Sequence, residues 1–366
     1  MRIAYMLTSL GMGGAERHVV ALAEHMAAHG HSVLLIVLRE RQLEEWPTAL
    51  EVVYLDLRKT PGSLLAGVIR ALALLRTFRP ELVHSHTCPA NLMARLLRGM
   101  GGPQVVSTIH NVFEGGRLRM LAYRFTDSLA LRTTAVSEEA ALRFIEMKAV
   151  SPCKCTVLTN AIDVKEFSPQ PARRASMRNE LGAGDAFIWL AVGRVVSAKG
   201  FLNLLQAFAK VWPVFPRTQL WIAGPGQPAS RKRTHYSAIP VAKGTMERVR
   251  RLGLERDMPA LYDAADAFAL ASAWEGMPLV LGEAMAMEKP IVATNVGGVH
   301  ELLGACGELV PPGNPEPLAQ AMLQVMRQST ETRASVGRAA RMRIVNHFDI
   351  ATRFSEWEAF YRGLLA

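Results

Sequence analysis

The chain of 366 residues is predicted to be an α/β protein made of two Rossmann-like domains, each with a doubly wound parallel sheet. Strand and helix patterns alternate along the whole chain, which is typical of parallel sheets with helices on both faces. The length exceeds what one hydrophobic core usually holds, so about two domains are expected. Half of the residues are apolar and a fifth are charged, as in ordinary globular proteins.

Short apolar segments predict the strands. Those of the first half are RIAYML, SVLLIVL, VVYLDL, ELVHSH, QVVSTIH and TTAVS, separated by helical stretches such as AERHVVALAEHMAAHG. Those of the second half are CTVLTN, FIWLAVG, TQLWIAG, AFALAS, PIVATN and GELVPP, again with helices between them. Strands connected through helices in this way lie parallel.

The domain boundary is expected near residues 165–173, where prolines and charges follow a strand. We therefore predict an N-terminal domain of residues 1–168, a C-terminal domain of residues 169–347, and a last helix over residues 348–366. That helix carries aromatic residues at helical spacing, which predicts packing across both domains rather than a cofactor site. A cleft between the domains is the expected ligand site.

Targeting and redox features are few. No uninterrupted apolar run reaches about 18 residues, and the opening segment is too short in its apolar part for a signal peptide. We therefore expect a cytoplasmic protein. Its four cysteines show no C-x-x-C spacing and are expected to be free thiols: Cys88, Cys153, Cys155 and Cys306.

The net charge of +10 favours an anionic partner, such as a nucleotide, a lipid surface or nucleic acid. Two leucine-rich segments carry arginines. They suit either amphipathic helices on an anionic membrane surface or helices that cover the sheet with solvated arginines outward. Nucleic-acid binding is not expected, because basic and aromatic residues are not interleaved and no reader motif occurs. The arginines are Arg70, Arg76 and Arg79, then Arg117, Arg119 and Arg124.

The most informative segment runs from Glu275 to Glu283. The apolar run that ends at Ser272 predicts a buried strand, and Gly276 and Pro278 then predict a turn into a helix. A helix start at the carboxyl end of a parallel strand is a site for anions. Two glutamates eight positions apart can bind a sugar nucleotide, or can simply be solvated carboxylates of a helix surface.

Several motifs together resemble the retaining glycosyltransferases of family 4. The N-terminal motifs are GGAERH (13–18), VHSH (83–86), STIHN (107–111), VS (136–137) and VLTNAID (157–163). The C-terminal motifs are VGRVVSAKG (192–200), IAGPG (222–226), EGMPLVLGEAMA (275–286) and IVATNVGGVHELL (291–303). The resemblance implies the GT-B architecture, two Rossmann-like domains facing across a cleft. It also implies retaining sugar transfer from a nucleotide-diphosphate sugar, without a cofactor or divalent metal.

The sequence gives little sign of a metal site. It contains no D-x-D motif, and His84 and His86 are the only pair with ligand spacing. On a strand these two imidazoles share a face, but only Cys88 lies near them as a third ligand.

The resemblance assigns roles on the donor side. Arg194 and Lys199, in a loop that includes Gly193, match the pair that neutralises the leaving diphosphate. Glu283 matches the residue that binds the ribose hydroxyls. Glu275 matches the one that faces the donor sugar, where backbone N–H groups of three neighbours can also donate: Gly276, Met277 and Leu279.

The resemblance also assigns roles in the N-terminal domain. The loop containing Gly13 and Gly14 matches a glycine-rich loop whose N–H groups approach the donor phosphate or the acceptor. His110 matches a histidine that contacts the transferred sugar. The family suggests a front-face transfer in which the departing phosphate deprotonates the acceptor, while double displacement through a carboxylate stays open.

Residues 227–251 depart from the family pattern. Apolar periodicity is missing there, and Arg250 and Arg251 stand where strand residues are expected, which indicates a basic loop or a locally damaged domain. The leading hypothesis is a glycosyltransferase that acts on a glycan or lipid-linked acceptor in envelope polysaccharide, lipopolysaccharide or glycolipid synthesis. The alternatives are a sugar-nucleotide epimerase of the same architecture and a non-catalytic protein that binds sugar nucleotides or membranes.

Overall fold

The computed structural model describes residues 1–11, 13–39, 48–226 and 243–366, which divide into two compact units. Unit 1 comprises Met1–Ala161 and Ala351–Ala366, and unit 2 comprises Ile162–Ile350. Each unit is built on one sheet, and all strand pairs described in both sheets are parallel. The predicted fold class of two Rossmann-like parallel-sheet domains is therefore confirmed.

The sheet of unit 1 has the strand order β3-β2-β1-β4-β5-β6-β7. Its inner strands are almost wholly buried, as expected when helices cover both faces. The segment CTVLTN, which falls within the predicted N-terminal domain of residues 1–168, supplies the edge strand of this first sheet. The strands are β1 (Arg2–Leu7), β2 (Ser32–Val37), β3 (Val52–Tyr54), β4 (Leu82–His86), β5 (Gln104–Ile109), β6 (Arg132–Ala135) and β7 (Cys155–Val157).

Helices connect these strands, and local capping defines several of their starts. The hydroxyl of Thr60 accepts from Ser63 N at the start of the second helix, and Ser137 accepts from Ala140 N at the start of the fifth. The helices are α1 (Gly14–Ala28), α2 (Pro61–Phe78), α3 (Cys88–Gly99), α4 (Arg117–Thr126) and α5 (Glu138–Glu146).

The strand order determines which face each helix covers. The connection from β1 to β2 runs toward one edge of the sheet, whereas the steps from β3 to β4 and on to β7 run the other way. Since such crossovers are right-handed, α2, α3, α4 and α5 share one face and α1 covers the other. The apolar clusters support this assignment of faces. Residues of α2 and α3 are buried in one cluster, and residues of α3, α4 and α5 are buried in a second one.

The last helix of the chain, α13 (Ile350–Leu365), packs its aromatic residues into unit 1. Phe354, Trp357 and Tyr361 are buried, and the Trp357 ring lies 4.9 Å from that of His84. The Tyr361 hydroxyl is 2.6 Å from His84 Nδ1. These side chains are therefore packing residues.

Unit 2 has the strand order β10-β9-β8-β11-β12-β13. The expectation for residues 249–251 was wrong, because they lie in an edge strand paired with β9. The Arg250 guanidinium lies 5.7 Å from the Trp221 ring centroid, and an edge strand accepts basic side chains that a central strand would not. Residues 227–242 lie outside the described residues. The strands are β8 (Phe187–Val192), β9 (Thr218–Ala223), β10 (Val249–Gly253), β11 (Ala267–Leu270), β12 (Ile291–Thr294) and β13 (Glu308–Val310).

The helices of unit 2 complete its layers. Several begin at a polar residue whose side chain accepts a backbone N–H, namely Asp257, Asn314 and Ser329. The helices are α6 (Pro171–Glu180), α7 (Phe201–Val211), α8 (Met258–Ala264), α9 (Leu279–Ala286), α10 (Val299–Leu303), α11 (Pro315–Arg327) and α12 (Thr330–His347).

Candidate functional site

In unit 2, the loops after β8 and β11 meet at the carboxyl edge of the sheet. Ala273 N donates to Ala198 O at 2.8 Å, which ties the two loops together. Gly200 has φ of 58°, and a Cβ at this position would lie 1.9 Å from Ala271 O. Only glycine allows so close an approach, so this residue determines how near the two loops come.

Lys199 and Glu275 form an ion pair across these two loops. Lys199 Nζ donates to Glu275 Oε1 at 2.6 Å, and the hydroxyl of Ser272 donates to the same oxygen at 2.6 Å. Glu275 is only 6% exposed. Thr294 Oγ1 in turn donates to Ser272 O at 2.7 Å. The carboxylate is therefore fixed in one orientation at the point where the strand ends.

The turn from Glu275 into α9 packs against the loop after β12. Gly298 N donates to Gly276 O at 2.6 Å. Gly297 has φ of 54°, and a Cβ there would lie 2.1 Å from Glu275 O. Pro278 is the N-cap residue, so α9 begins at Leu279 and directs the positive end of its dipole toward this turn.

Glu283 lies in the last turn of α9 and is only 3% exposed. The Tyr262 hydroxyl, which belongs to α8, is 2.9 Å from Glu283 Oε2 and 3.0 Å from Val280 O. The structure therefore presents Glu283 as a held, buried carboxylate and excludes a solvated position on a helix surface.

Arg194 and Gly193 belong to the same loop as Lys199. Gly193 N donates to Ala223 O, which extends the hydrogen bonds between β8 and β9 by one residue. The backbones also approach closely here, because a Cβ on Gly224 would lie 2.2 Å from Gly193 O. The Arg194 side chain is exposed. Among the described residues it has no hydrogen bond or ion pair, so none of them offsets the charge that this guanidinium can offer to an anion.

In unit 1, the glycine-rich loop leads into α1. Gly13 is the N-cap residue in an extended conformation without a side-chain cap, and the helix begins at Gly14. A Cβ on Gly13 would lie 2.2 Å from the Glu16 carboxylate. Residue 12 lies outside the described residues.

His110 follows β5 in unit 1 and is part of a chain of histidines. Its Nε2 is 2.9 Å from Nδ1 of His86, while the two ring nitrogens of His84 lie 2.6 Å from Tyr361 Oη and 2.6 Å from Thr108 Oγ1. Burial lowers the pKa of His110 to about 3 and holds the pKa values of His84 and His86 well below the ordinary 6.5. These imidazoles are therefore neutral at physiological pH.

His84 and His86 are also the pair of histidines with the spacing of metal ligands. Both nitrogens of His84 face hydroxyl groups of protein residues. Across residues 1–11, 13–39, 48–226 and 243–366, no group of three or more His, Cys, Asp or Glu side chains could hold a metal ion.

The structure adds four residues whose contacts with the predicted site residues the sequence did not indicate. Ser272 and Tyr262 hold the two glutamates of unit 2, and His86 and Glu114 contact His110. Their signals in the sequence were weak, since each is a polar residue in an otherwise apolar or turn-forming segment. Only the tertiary structure brings them to the predicted site residues.

Family models match both units of the chain. The model described as glycosyl transferases group 1 matches residues 186–328, and the model described as Glycosyltransferase Family 4 matches residues 12–166. Together they include all the predicted site residues: Gly13, Gly14, His110, Gly193, Arg194, Lys199, Glu275, Gly276, Met277, Leu279 and Glu283.

Curated relatives span most of the chain. An Escherichia coli UDP-Gal:alpha-D-GlcNAc-diphosphoundecaprenol alpha-1,3-galactosyltransferase is 26% identical over 310 residues, covering 81% of this chain and 79% of its own length. A D-inositol 3-phosphate glycosyltransferase of Kineococcus radiotolerans is 28% identical over 376 residues, covering 90% and 86%.

Among solved structures, Anabaena HepE in complex with UDP-glucose superimposes with a TM-score of 0.85 and 20% identity. The match covers 99% of this chain and all of that one. At this identity the likeness concerns the fold: each of the two units has the parallel-sheet architecture of a GT-B domain.

Proposed function

The chain belongs to the glycosyltransferases of group 1 and family 4, and from this membership we propose that it transfers a sugar from a UDP-sugar to a lipid-linked saccharide with retention of anomeric configuration. The observation that carries the proposal is the ion pair between Lys199, on the loop that also presents Arg194, and Glu275, on the loop that leads into α9. Such an arrangement suits a ligand with a diphosphate next to a hydroxylated sugar.

Charge is the main contribution that these residues would make. The departing nucleotide diphosphate gains negative charge as the glycosidic bond opens. Arg194 can bind it with a planar fork, and Lys199 with a point charge. Donors placed where charge develops lower the barrier most, because they need no reorganisation during the reaction. We propose that these cations take the place of a divalent metal and that no cofactor takes part.

Glu275 and Glu283 would recognise the neutral parts of the donor. The buried Glu283 suits the ribose hydroxyls, since a fixed carboxylate can accept two hydrogen bonds. Glu275 would face the transferred sugar together with N–H groups at the start of α9, from residues 276, 277 and 279. From unit 1 we assign sugar contact to His110 and phosphate or acceptor contact to the loop of Gly13 and Gly14.

For the mechanism we propose a front-face transfer. The acceptor hydroxyl oxygen bonds to the anomeric carbon on the side from which the diphosphate leaves. The bond between that carbon and the phosphate oxygen breaks, and the hydroxyl proton passes to the phosphate. Double displacement needs a carboxylate as nucleophile. Oε1 of Glu275 accepts from Lys199 and Ser272, and these two donors lower the nucleophilicity of that oxygen.

The nucleotide and the acceptor class are inferred from the relatives. The Escherichia coli relative is named for UDP-Gal and a diphosphoundecaprenol-linked sugar, and the HepE structure contains UDP-glucose. We therefore propose a uridine nucleotide and a lipid-linked acceptor. An acceptor of this kind would place the protein in the cytoplasm, at the inner face of the membrane, in the synthesis of an envelope glycan.

Unit 1 has a face that suits an anionic membrane surface. Residues 57–126 contain ten arginines and lysines, of which Arg95 is buried, against two glutamates. Its helices α2, α3 and α4 lie on one face of the sheet, and they expose large apolar side chains between those charges. By length and composition alone, α2 is the one helix of the described residues that could cross a membrane. The exposed residues are Leu64, Leu65, Ile69, Leu96, Met100, Leu118, Leu121 and Phe125.

Shallow binding explains this face better than a membrane crossing. Leu118 is 82% exposed and Phe125 is 78% exposed, on a helix whose charged residues are all arginines. Such side chains enter the boundary between headgroups and acyl chains, while arginines contact the phosphates. On the other side of α2, Val68, Ala71 and Leu75 pack into the core of unit 1.

The donor proposal is tested by thermal unfolding with UDP-, GDP- and ADP-sugars. A ligand of the native state raises the melting temperature by mass action. We expect a shift with UDP-sugars that is lost in Lys199→Ala and Glu283→Ala and kept in Lys210→Ala, a surface lysine of the same unit. A shift with GDP- or ADP-sugars alone would overturn the choice of base, and no shift with any nucleotide would favour the non-catalytic alternative.

Transfer itself is tested with lipid-linked and soluble acceptors. We expect product only with a polyprenyl-diphosphate saccharide, with the donor's anomeric configuration in its proton coupling constant and with full activity in EDTA. An inverted product would contradict retention, and loss of activity in EDTA would contradict metal independence. Product with inositol phosphate instead would move the acceptor to the soluble class of the second relative.

Membrane binding is tested by sedimentation with vesicles. We expect binding to vesicles that contain phosphatidylglycerol, weaker binding at high salt, and loss of binding in Leu118→Ala/Phe125→Ala. Leu202→Ala/Leu254→Ala removes exposed leucines of unit 2 and should bind normally. Equal binding by both double variants, or self-association through the unit 1 face, would contradict the assignment.

A further inference from the structure

The backbone of His110 is held by a carboxylate that no sequence motif indicates. His110 N donates to Glu114 Oε1 at 3.0 Å, across the turn that follows β5. The second carboxylate oxygen, Oε2, accepts from the hydroxyl of Tyr123 at 2.9 Å. Both oxygens of this half-buried side chain therefore have donors.

Tyr123 is itself anchored to the sheet. It is fully buried on α4, and its hydroxyl oxygen accepts from Asn91 Nδ2 at 2.8 Å. The same amide nitrogen lies 3.0 Å from Thr108 O, two residues before His110 on β5. The chain of hydrogen bonds thus runs from His110, just after β5, through α4 and α3 and back to Thr108 on β5.

We infer that Glu114 is a positioning residue that fixes the backbone of His110, and thereby its imidazole, for contact with the transferred sugar. The inference rests on the proposed function, because it takes from it the role of His110. The ring is held separately, since its Nε2 faces His86. With backbone and ring both fixed, the other face of the imidazole keeps one orientation, as preorganised contacts require.

The hydrogen bond from His110 N to Glu114 depends on pH, because the charge of this carboxyl changes with pH. Burial raises the pKa of its carboxyl from the ordinary 4.5 to about 7, while donation from His110 N and Tyr123 lowers it less. The other charged or titratable groups that face it are Arg119 on α4, and Arg95 and Cys88 on α3. An ionised carboxylate accepts an N–H more strongly than a neutral one does, so the support strengthens as the pH rises through this range.

Variants separate positioning from folding. Glu114→Gln keeps an oxygen for His110 N but cannot titrate, so we expect near-normal transfer without the wild-type change in kcat/KM around pH 7. Glu114→Ala should lower kcat/KM by about 10- to 100-fold, with unchanged UDP binding by unit 2. Tyr123→Phe removes a donor that lowers the pKa of Glu114, so the midpoint of the pH dependence of kcat/KM should rise.

Glu81 provides the matched control. Its Oε2 accepts Arg2 N at 2.7 Å, so Glu81→Ala also removes a bond between a carboxylate and a strand N–H. This bond lies at the amino edge of the same sheet, whereas His110 lies at the carboxyl edge. Equal losses of activity in Glu81→Ala and Glu114→Ala, or an unchanged pH profile in Glu114→Gln, would overturn the inference.

A second readout does not depend on activity. In protein labelled with 15N-histidine, the amide signal of His110, assigned by its loss in His110→Gln, should titrate with a midpoint near pH 7. It should not titrate in Glu114→Gln. If the His110 amide titrates but no sugar is transferred, the proposed function fails while the role of Glu114 in holding His110 stands. If sugar is transferred but the amide does not titrate, the role of Glu114 fails while the proposed function stands.

Discussion

Lys199 Nζ donates a hydrogen bond to Glu275 Oε1 at 2.6 Å, although Lys199 is assigned to the donor diphosphate and Glu275 to the donor sugar. Lys199 therefore has a counter-ion before any ligand arrives. A diphosphate brings more negative charge than one carboxylate, so it can compete for the ammonium group while Ser272 still holds Glu275. The pair thus keeps both side chains in place without a ligand.

Lys199→Ala should lower kcat by about 100- to 1,000-fold, the usual cost of losing one preorganised donor to developing charge. The folded structure should persist, because Glu275 keeps its bond to Ser272. Steady-state kinetics and a melting curve would check this, with Lys210→Ala as the control. Wild-type kcat in Lys199→Ala would remove this lysine from the mechanism.

Tyr262→Phe should weaken nucleotide binding by about 10-fold, with little change in kcat. The change removes a hydroxyl 2.9 Å from Glu283 Oε2, and a hydrogen bond to a charged group contributes about 1.5 kcal/mol or more. Isothermal titration with UDP would measure it. Phe268→Leu changes a core ring that packs against Tyr262 but leaves the Tyr262 hydroxyl in place, and an equal loss of affinity in that variant would indicate a general packing effect.

Gly200→Ala should destabilise unit 2 by about 3 kcal/mol or more. The left-handed backbone alone costs about 1 to 2 kcal/mol for alanine, and the added Cβ would also lie 1.9 Å from Ala271 O. Gly182→Ala is the matched control, because Gly182 has φ of 57° but nothing within 4 Å of its Cβ position. Denaturant unfolding should therefore show a clearly smaller loss for Gly182→Ala, and equal losses would contradict the predicted clash.

Much of the fold could be predicted from the sequence because parallel strands buried on both faces leave strong apolar signals. Strands β1, β5 and β8 are such cases. The edge strand β10 was missed because an edge strand buries little, and Arg250 and Arg251 hide its pattern. The three-residue strand β7 lies within the predicted N-terminal domain, but only its pairing with β6 shows that it forms the edge of the first sheet.

The candidate site was predictable only where it lies within a local motif. Lys199 and Glu275 each belong to a recognisable segment, although nothing in either segment shows that the two bond to each other. Tyr262 and Glu114 support the predicted residues by contacts between separate elements or across an irregular turn. Their partners depend on how helices pack, which a short motif does not encode.

The buried histidines should make the protein unstable in mild acid. Burial lowers the pKa of His18 to about 4 and that of His110 to about 3, and it holds those of His84 and His86 well below 6.5. Each ring stays neutral in the folded state but takes up a proton near pH 6.5 once unfolded. Their contribution to stability is therefore present above pH 6.5 and is lost as the pH falls below it.

The size of this effect follows from the proton count. Four protons would change the free energy of unfolding by up to about 5 kcal/mol per pH unit, at about 1.4 kcal/mol each. Glu114 acts in the opposite direction, because its raised pKa makes the folded state bind a proton between about pH 7 and 4.5. Since these histidines outnumber the one carboxyl, the free energy of unfolding is expected to fall as the pH drops below 6.

Urea unfolding followed between pH 7.5 and 5 by tryptophan fluorescence would measure this slope, since Trp357 contacts His84. His84→Gln should reduce the slope by about one proton, whereas His347→Gln, at an exposed position of unit 2, should leave it unchanged. A stability that is flat from pH 7 to 5 would show that the imidazoles are solvated. In that case the neutral, fixed state assigned to His110 would not hold either, because the same burial is the cause of both.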